Sequence, residues 1–213
     1  MMHRCGSANL RDMDAPELIA VRAALADGAV PSTVVLVEGA SDRAALETLA
    51  ERHDRDLAAE GVSIVPMGGA TTIGHFLDLL GPNGYDYRLA GLCDAREEGD
   101  FSRQLERAGM GINLSRSEME SVGFFVCVAD LEDELIRALG PDAVVKIMDA
   151  QGELGSFRIL QRQPAHRDRT VEQHLWRFMG TRSGRKAHYA RLMVQALDLD
   201  QMPRPLVGVL DYV

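Results

Sequence analysis

The chain has 213 residues, of which 46% are hydrophobic and 26% charged, as in an ordinary globular protein. No apolar run approaches the roughly 18 residues that cross a membrane, and we expect no secretory leader. The three cysteines, Cys5, Cys93 and Cys127, are odd in number and far apart. This spacing argues against a disulfide framework or a cysteine zinc site, and it favours a reducing cytoplasm.

The net charge of −9 is distributed unevenly. Residues 156–191 contain nine basic and two acidic side chains, whereas the rest of the chain has a large excess of acids. Such asymmetry is typical of an anion-binding arm. A basic face that docks on the protein's own acidic part would give the same pattern. The candidate nucleic-acid-binding residues of this stretch are Arg182, Arg185, Lys186 and Arg191.

In chain order, the pattern predicts a helix from Asp14 to about Ala26 and then four strand-and-helix units. Four such units in a row predict an α/β fold, a parallel sheet with helices on both faces. The predicted strands are 33–37, 62–66, 88–93 and 123–128, followed respectively by helices at 41–53, 71–80, 101–108 and 130–139.

Strand signals disappear from residue 142 onward, and only helices are predicted there. We therefore divide the chain into an N-terminal helical segment (1–30), an α/β core (31–140) and a basic helical C-terminal region (141–213). The predicted C-terminal helices are 142–150, 154–161, 170–178, 184–197 and 205–212.

Two acids directly follow buried strands: Glu38 follows the first and Asp94 the third. The carboxyl ends of parallel strands share one rim of the sheet, where open α/β folds bind their ligands. Clustered carboxylates repel one another unless a cation neutralises them. The sequence therefore predicts a divalent-metal site for phosphate chemistry, to which Glu97 is the best further ligand in the loop after Asp94.

Other candidates have good structural explanations of their own. Asp42 favours the dipole of the helix that it opens, and Glu132 lies in the first turn of another helix. Gly68 and Gly69 would expose backbone N–H groups to a phosphate, although such turns are common without ligands. Lys186, one of only two lysines, is on local grounds a surface residue.

One aromatic pair also has two explanations. Trp176 and Phe178 could stack on nucleobases, but aromatics at this spacing more often belong to a core.

Together these residues resemble the TOPRIM domain of the OLD (overcoming lysogenization defect) nuclease family, in its stand-alone TOPRIM nucleotidyl transferase/hydrolase type. The similar elements are the E-G-x-S-D sequence at 38–42, the Gly68-Gly69 turn, Asp94 after the third strand, and Asp130-Leu131-Glu132. The resemblance runs from about residue 33 to the C-terminus, and the segment around Lys186 is its softer part.

The resemblance implies a TOPRIM-like, Rossmann-like parallel sheet of about four strands with a C-terminal helical extension. It also implies a bacterial, cytoplasmic nuclease that hydrolyses phosphodiester bonds in DNA with two Mg²⁺ or Mn²⁺ ions. Lys186 would stabilise the transition-state phosphate, and Glu38 would act in catalysis as well as in metal binding. The implied metal ligands are Glu38, Asp42, Asp94 and Glu132, with Glu97 as an addition.

Two departures from the family pattern matter. Arg96 replaces the second acid of the D-x-D element, which weakens one metal site or transfers its ligand to Glu97. The chain also lacks the ABC-type ATPase of full OLD proteins, so any ATP control would come from a partner in trans. The alternatives are a catalytically weak subunit that binds nucleic acid or a partner, and a small-molecule phosphotransfer enzyme. A homodimer is compatible with either.

Overall fold

Four parallel strands form the centre of the structure, a computed structural model that describes residues 31–213. The predicted helix at 14–26 and the whole segment 1–30 lie outside the described residues. The strand order is β2-β1-β3-β4, so that β1 and β3 are central neighbours. The predicted parallel α/β sheet is confirmed. The strands are β1 (Thr33–Val37), β2 (Val62–Pro66), β3 (Arg88–Cys93) and β4 (Phe124–Val126).

Helices connect the strands as predicted, with one addition. Helix α4 has the polar sequence RSEMES and is too short for a recognisable apolar period, so the pattern did not predict it. Its local signal is a capping box, in which Ser115 and Glu118 satisfy each other's backbone N–H groups. The helices up to residue 139 are α1 (Ala40–Arg52), α2 (Ile73–Leu80), α3 (Glu98–Arg107), α4 (Arg116–Ser121) and α5 (Leu131–Leu139).

The rest of the chain is helical, as predicted. Its α-helices are α6 (Pro141–Ala150), α7 (Leu154–Gln161), α8 (Val171–Met179), α9 (Arg185–Ala196) and α10 (Arg204–Tyr212). Short 3₁₀ segments lie at Ala70–Thr72, Pro164–His166 and Leu199–Gln201. In the described part of the chain, no helix is both long and apolar enough to cross a membrane.

Each face of the sheet has its own hydrophobic core. One face packs against α2, α3 and α4, and the other against α1, α5 and the C-terminal helices. The C-terminal helices thus share a core with the sheet. The division of the chain at residue 140 stays a prediction.

In the core that contains the C-terminal helices, the most extensive helix–helix packing is between α1 and α9. Arg52 in the last turn of α1 donates to the carbonyl oxygens of Val194 and Leu197, at the end of α9. These bonds satisfy carbonyls that a helix end leaves without partners. The packing places the N-terminal region of α9, which contains Lys186, beside the helix that begins after Glu38.

Candidate metal centre

Three acidic side chains meet at the carboxyl rim of β1 and β3. Glu38, Asp94 and Glu97 each offer a carboxylate oxygen, and these three atoms all lie within 4.8 Å of one another. Glu38 and Asp94 meet because their strands are hydrogen-bonded neighbours. Glu97 joins them because the chain turns immediately after Asp94, with the Glu97 N–H donating to the Asp94 carbonyl. We call Glu38, Asp94 and Glu97 the rim cluster.

Burial and mutual repulsion act on this cluster. Burial, followed by the charges of Glu38 and other nearby acids, raises the pKa of Asp94 to about 7. Burial also raises the pKa of Glu38, and the charge of Glu97 adds to the effect. The carboxylates of Asp94 and Glu38 are therefore costly to ionise without a bound cation.

Arg96 supplies an internal positive charge to the cluster. Its Nε donates to Glu97 Oε1 at 2.8 Å, and its Nη2 lies 3.4 Å from Asp94 Oδ2. The guanidinium side chain is 71% exposed, so water screens both contacts. The residue that departs from the family pattern is thus in direct contact with two acids of the rim cluster.

Asp42 lies beside the cluster in the first turn of α1. Its Oδ2 accepts a hydrogen bond from the N–H of the N-cap residue Gly39 at 2.8 Å, a contact beyond the predicted interaction with the helix dipole. The side chain is nonetheless buried, and burial raises its pKa to about 7 despite this bond. The charges of Glu132 and Glu38 contribute to the same rise.

Glu132 and Lys186 form an ion pair on the other side of Asp42. Lys186 Nζ donates to Glu132 Oε2 at 2.9 Å, although 54 positions separate the residues in the sequence. Burial lowers the pKa of Lys186, but the charge and hydrogen bond of Glu132 outweigh it, so the pKa is raised overall. Glu132 Oε1 is buried and has no hydrogen-bond partner within the described residues.

Asp130 and Trp176 also belong to this region, although neither was among the predicted site residues. Asp130 caps α5 by accepting the Asp133 N–H at 2.8 Å. Its second oxygen accepts the indole N–H of Trp176. The charge of Asp130 also contributes to the raised pKa of Asp94, so Asp130 lies near the rim cluster.

The predicted phosphate loop has the backbone freedom that a ligand needs. Gly68 and Gly69 both have positive φ angles, 78° and 139°, which favour glycine over other residues. A Cβ atom at either position would meet nothing within 4 Å. The Gly68 N–H, however, donates to the Glu38 carbonyl oxygen at 3.1 Å, so it is engaged within the protein.

The four predicted nucleic-acid-binding residues divide into two kinds. Arg182 and Arg191 are exposed, and Lys186 is half-exposed beside Glu132. Arg185 points inward: its guanidinium lies over the Phe178 ring and donates to Glu153 Oε1 at 2.9 Å. Its nearest partners are therefore groups of the protein, and its role in nucleic-acid binding stays a prediction.

The donor set of the region fits a hard divalent cation. All the candidate ligand atoms are carboxylate oxygens, which Mg²⁺ and Mn²⁺ prefer over nitrogen or sulfur. Two of those oxygens, Glu97 Oε2 and Glu132 Oε1, are buried without a partner among residues 31–213. Buried carboxylate oxygens are normally satisfied, so both are open positions for an added ligand.

Comparisons with known proteins agree with this geometry. The sequence model described as "Overcoming lysogenization defect protein-like, TOPRIM domain" matches residues 32–95. The C-terminal region of the OLD protein from Xanthomonas campestris pv. campestris superposes with a TM-score of 0.66 at 20% identity, covering 86% of this chain and 92% of that one. The C-terminal region of the Burkholderia pseudomallei OLD protein gives a TM-score of 0.66 at 19% identity, covering 85% and 96%. The TM-scores establish a shared fold, and at these low identities the structural likeness shows the fold alone. No curated protein sequence matches the chain.

Proposed function

We propose that this chain, whose residues 32–95 match the model of an OLD-like TOPRIM domain, is a divalent-metal-dependent nuclease that hydrolyses phosphodiester bonds in DNA. The observation that carries the proposal is the rim cluster of Glu38, Asp94 and Glu97, with the Glu132–Lys186 pair beside it. Carboxylates for a cation and a lysine for a phosphate, together on one rim, are the components that phosphodiester hydrolysis needs.

The acids of the rim would hold the metal. Glu38, Asp94 and Glu97 form one group of ligands, and Asp42 and Glu132 are the candidates for a second position. In this proposal the site binds two ions, either Mg²⁺ or Mn²⁺. Bound there, such ions would lower the pKa of a water and stabilise the charge on the leaving oxygen.

The protein's own side chains have separate tasks in this scheme. Lys186 would neutralise a non-bridging oxygen of the scissile phosphate. Glu132 raises the pKa of Lys186, which keeps the ammonium charged for this role. Glu38, whose own pKa is raised, would exchange a proton with the attacking water. Arg182 and Arg191 are exposed and free to contact the phosphate backbone on either side. Arg185 would fix the start of α9, and thereby Lys186, by its bond to Glu153.

Nicking of supercoiled plasmid in Mg²⁺, Mn²⁺ or chelator tests the proposal, with wild type beside Asp94→Asn. The matched control is Asp86→Asn, which changes an exposed aspartate just before the same strand at its opposite end. Asp86 has a φ of 56°, a conformation that asparagine tolerates well. We expect metal-dependent nicking by wild type and Asp86→Asn, and none by Asp94→Asn. Equal nicking by all three proteins would contradict the proposal.

A second function is favoured by one observation, the contact of Arg96 with Asp94 and Glu97. A guanidinium among the candidate metal ligands fits a catalytically weak subunit that binds nucleic acid or a partner. Retention of plasmid in a gel shift, without nicking under any metal, would favour it. Release of phosphate from small phosphoesters alone would favour the phosphotransfer enzyme.

The proposal has four further parts. They are a bacterial source, a cytoplasmic location, an ABC-type ATPase acting in trans and a homodimer.

A further inference from the structure

Trp176 is the only tryptophan of the chain, and its side chain is unusually accessible for this residue type. It lies on α8 with 38% of its surface exposed, whereas Phe178, two positions later, is buried in the core against Phe157. Tryptophan is usually well buried, because its ring has a large apolar area. The exposed indole is therefore available to a partner.

Two contacts, a hydrogen bond and a cation–π contact, connect the indole ring to the candidate site. Its indole N–H donates to Asp130 Oδ2, and Asp130 follows β4 at the same rim as Asp94. Lys186 Nζ, which bonds to Glu132, lies 5.7 Å from the centroid of the indole ring. Because the ammonium lies over one face of the ring, a base would stack on the opposite face of Trp176, with the indole between it and the lysine proposed to contact the phosphate.

A cleft of about 500 Å³ opens beside the indole, between α5 and α8. Arg169 lines it and forms no salt bridge with any acid in the described range 31–213. Two acids of the lining are already engaged, Asp130 by the indole and Asp133 by Arg137 at 3.5 Å. Glu172 completes the charged lining. The cleft thus combines an aromatic ring, one arginine without a salt bridge in the described range, and three acids, of which only Asp133 is paired with a cation.

We propose that Trp176 is a stacking platform for a nucleobase of the nucleic acid whose phosphate binds at the rim. The inference rests on the proposed function and adds a substrate class to it. A base can stack on an indole only when its face is uncovered. In a duplex, the neighbouring bases cover both faces, so the substrate has an unpaired or displaced base at the site. Single strands and locally melted DNA have such bases.

The fluorescence of the single tryptophan makes the inference directly measurable. The full chain, kept in chelator so that no cleavage occurs, is titrated with a short oligothymidylate, with a hairpin duplex and with an abasic strand of the same length. We expect quenching by the single strand at concentrations where the hairpin and the abasic strand have little effect. Equal quenching by all three nucleic acids would overturn the inference. Saturation of single-strand binding without any change in tryptophan emission would overturn it as well.

Variants separate stacking from the hydrogen bond to Asp130. Binding of a labelled oligothymidylate, followed by anisotropy, should weaken roughly tenfold in Trp176→Ala and much less in Trp176→Phe, which keeps an aromatic face. If Trp176→Phe loses as much as Trp176→Ala, the indole N–H matters and stacking does not. Ile159→Ala removes another exposed apolar side chain, 66% accessible on α7, and should bind like wild type. Circular dichroism checks that each variant is folded.

Plasmid nicking by wild type distinguishes failure of this inference from failure of the proposed function. Nicking without single-strand quenching would refute the stacking role and leave the nuclease intact. Quenching by the single strand without nicking in any metal would support base stacking and refute the nuclease.

Discussion

Lys186 Nζ lies 2.9 Å from Glu132 Oε2, while the other oxygen of that carboxylate, Oε1, is buried without a partner in the described part of the chain. One carboxylate thus has one oxygen neutralised by the protein and one oxygen open. Such a group can hold a cation on its open side and keep the lysine charged on the other. This is the arrangement from which the first prediction follows.

Lys186→Met should reduce plasmid nicking by about 10²–10³-fold, the usual loss when one group that stabilises a transition-state charge is removed. Binding of plasmid should change much less, because Arg182 and Arg191 remain. Lys146→Met is the matched control, since Lys146 is the only other lysine and lies exposed on α6. Single-turnover nicking and gel shifts measure the two effects, and a loss of binding as large as the loss of nicking would contradict the assigned role.

Asp42→Asn should stabilise the metal-free protein at pH 8. Burial raises the pKa of Asp42 to about 7, so the folded state holds its proton more tightly than the unfolded chain does. The stability from this proton is complete below pH about 4 and is lost as pH rises through about 7. Asparagine avoids the buried charge and can still accept the Gly39 N–H. We therefore expect a gain on the order of 2–4 kcal/mol at pH 8.

Urea unfolding in chelator at several pH values measures this gain. The difference between wild type and Asp42→Asn should shrink as pH falls from 7 to 4, whereas the exposed control Asp86→Asn should show no such trend. A gain that is the same at every pH would mean that the buried charge of Asp42 is not its source.

Arg96→Ala should bind Mn²⁺ about two- to fivefold more tightly than wild type, the range expected from losing an exposed ionic contact that competes for two ligands. Arg96→Asp, which restores the D-x-D pattern, should bind more tightly still. Arg103→Ala is the control, because Arg103 is 69% exposed and pairs with Asp100 on α3. Calorimetric titration with MnCl₂ gives the affinities, and unchanged binding by both Arg96 variants would show that the guanidinium does not compete.

Gly91→Ala should destabilise the fold by about 1–3 kcal/mol, the usual cost of overpacking a core. A Cβ atom at Gly91, in β3, would lie 2.7 Å from the Phe124 ring and 2.9 Å from the Leu36 carbonyl oxygen. Gly155→Ala is the opposite case, since nothing lies within 4 Å of its Cβ position in α7. It should stabilise by up to about 1 kcal/mol through helix propensity. Thermal unfolding of both variants decides whether the central sheet is packed as described.

Some elements were predictable from the sequence because their signal is local. The apolar runs of β1, β2 and β3 gave the bounds of these strands to the residue. The fourth strand, predicted at 123–128, begins one residue later and ends two residues earlier, because Cys127 and Val128 continue its apolar run. Cys127 N still donates to the Cys93 carbonyl oxygen, so the predicted pairing extends one residue beyond β4.

Other features depend on contacts between distant parts of the chain. The inward orientation of Arg185 is set by Glu153 and Phe178, and charge counts along the chain cannot reveal it. The different environments of Trp176 and Phe178 could be predicted from the sequence, because residues two apart on a helix are about 200° apart around its axis. Both could not belong to one core face. The ligand roles of the rim acids stay predictions.

The packing of α9 against α1 has a consequence for the order in which the site can form. The acids of the rim come from residues 38–132, and the lysine comes from residue 186, at the start of α9. During synthesis from the N-terminus, every acid leaves the ribosome before the lysine is added to the chain. A nascent chain can therefore contain every acid of the rim while it still lacks the lysine proposed to contact the phosphate. On the proposed mechanism, the chain becomes a competent nuclease only after its last helices are in place.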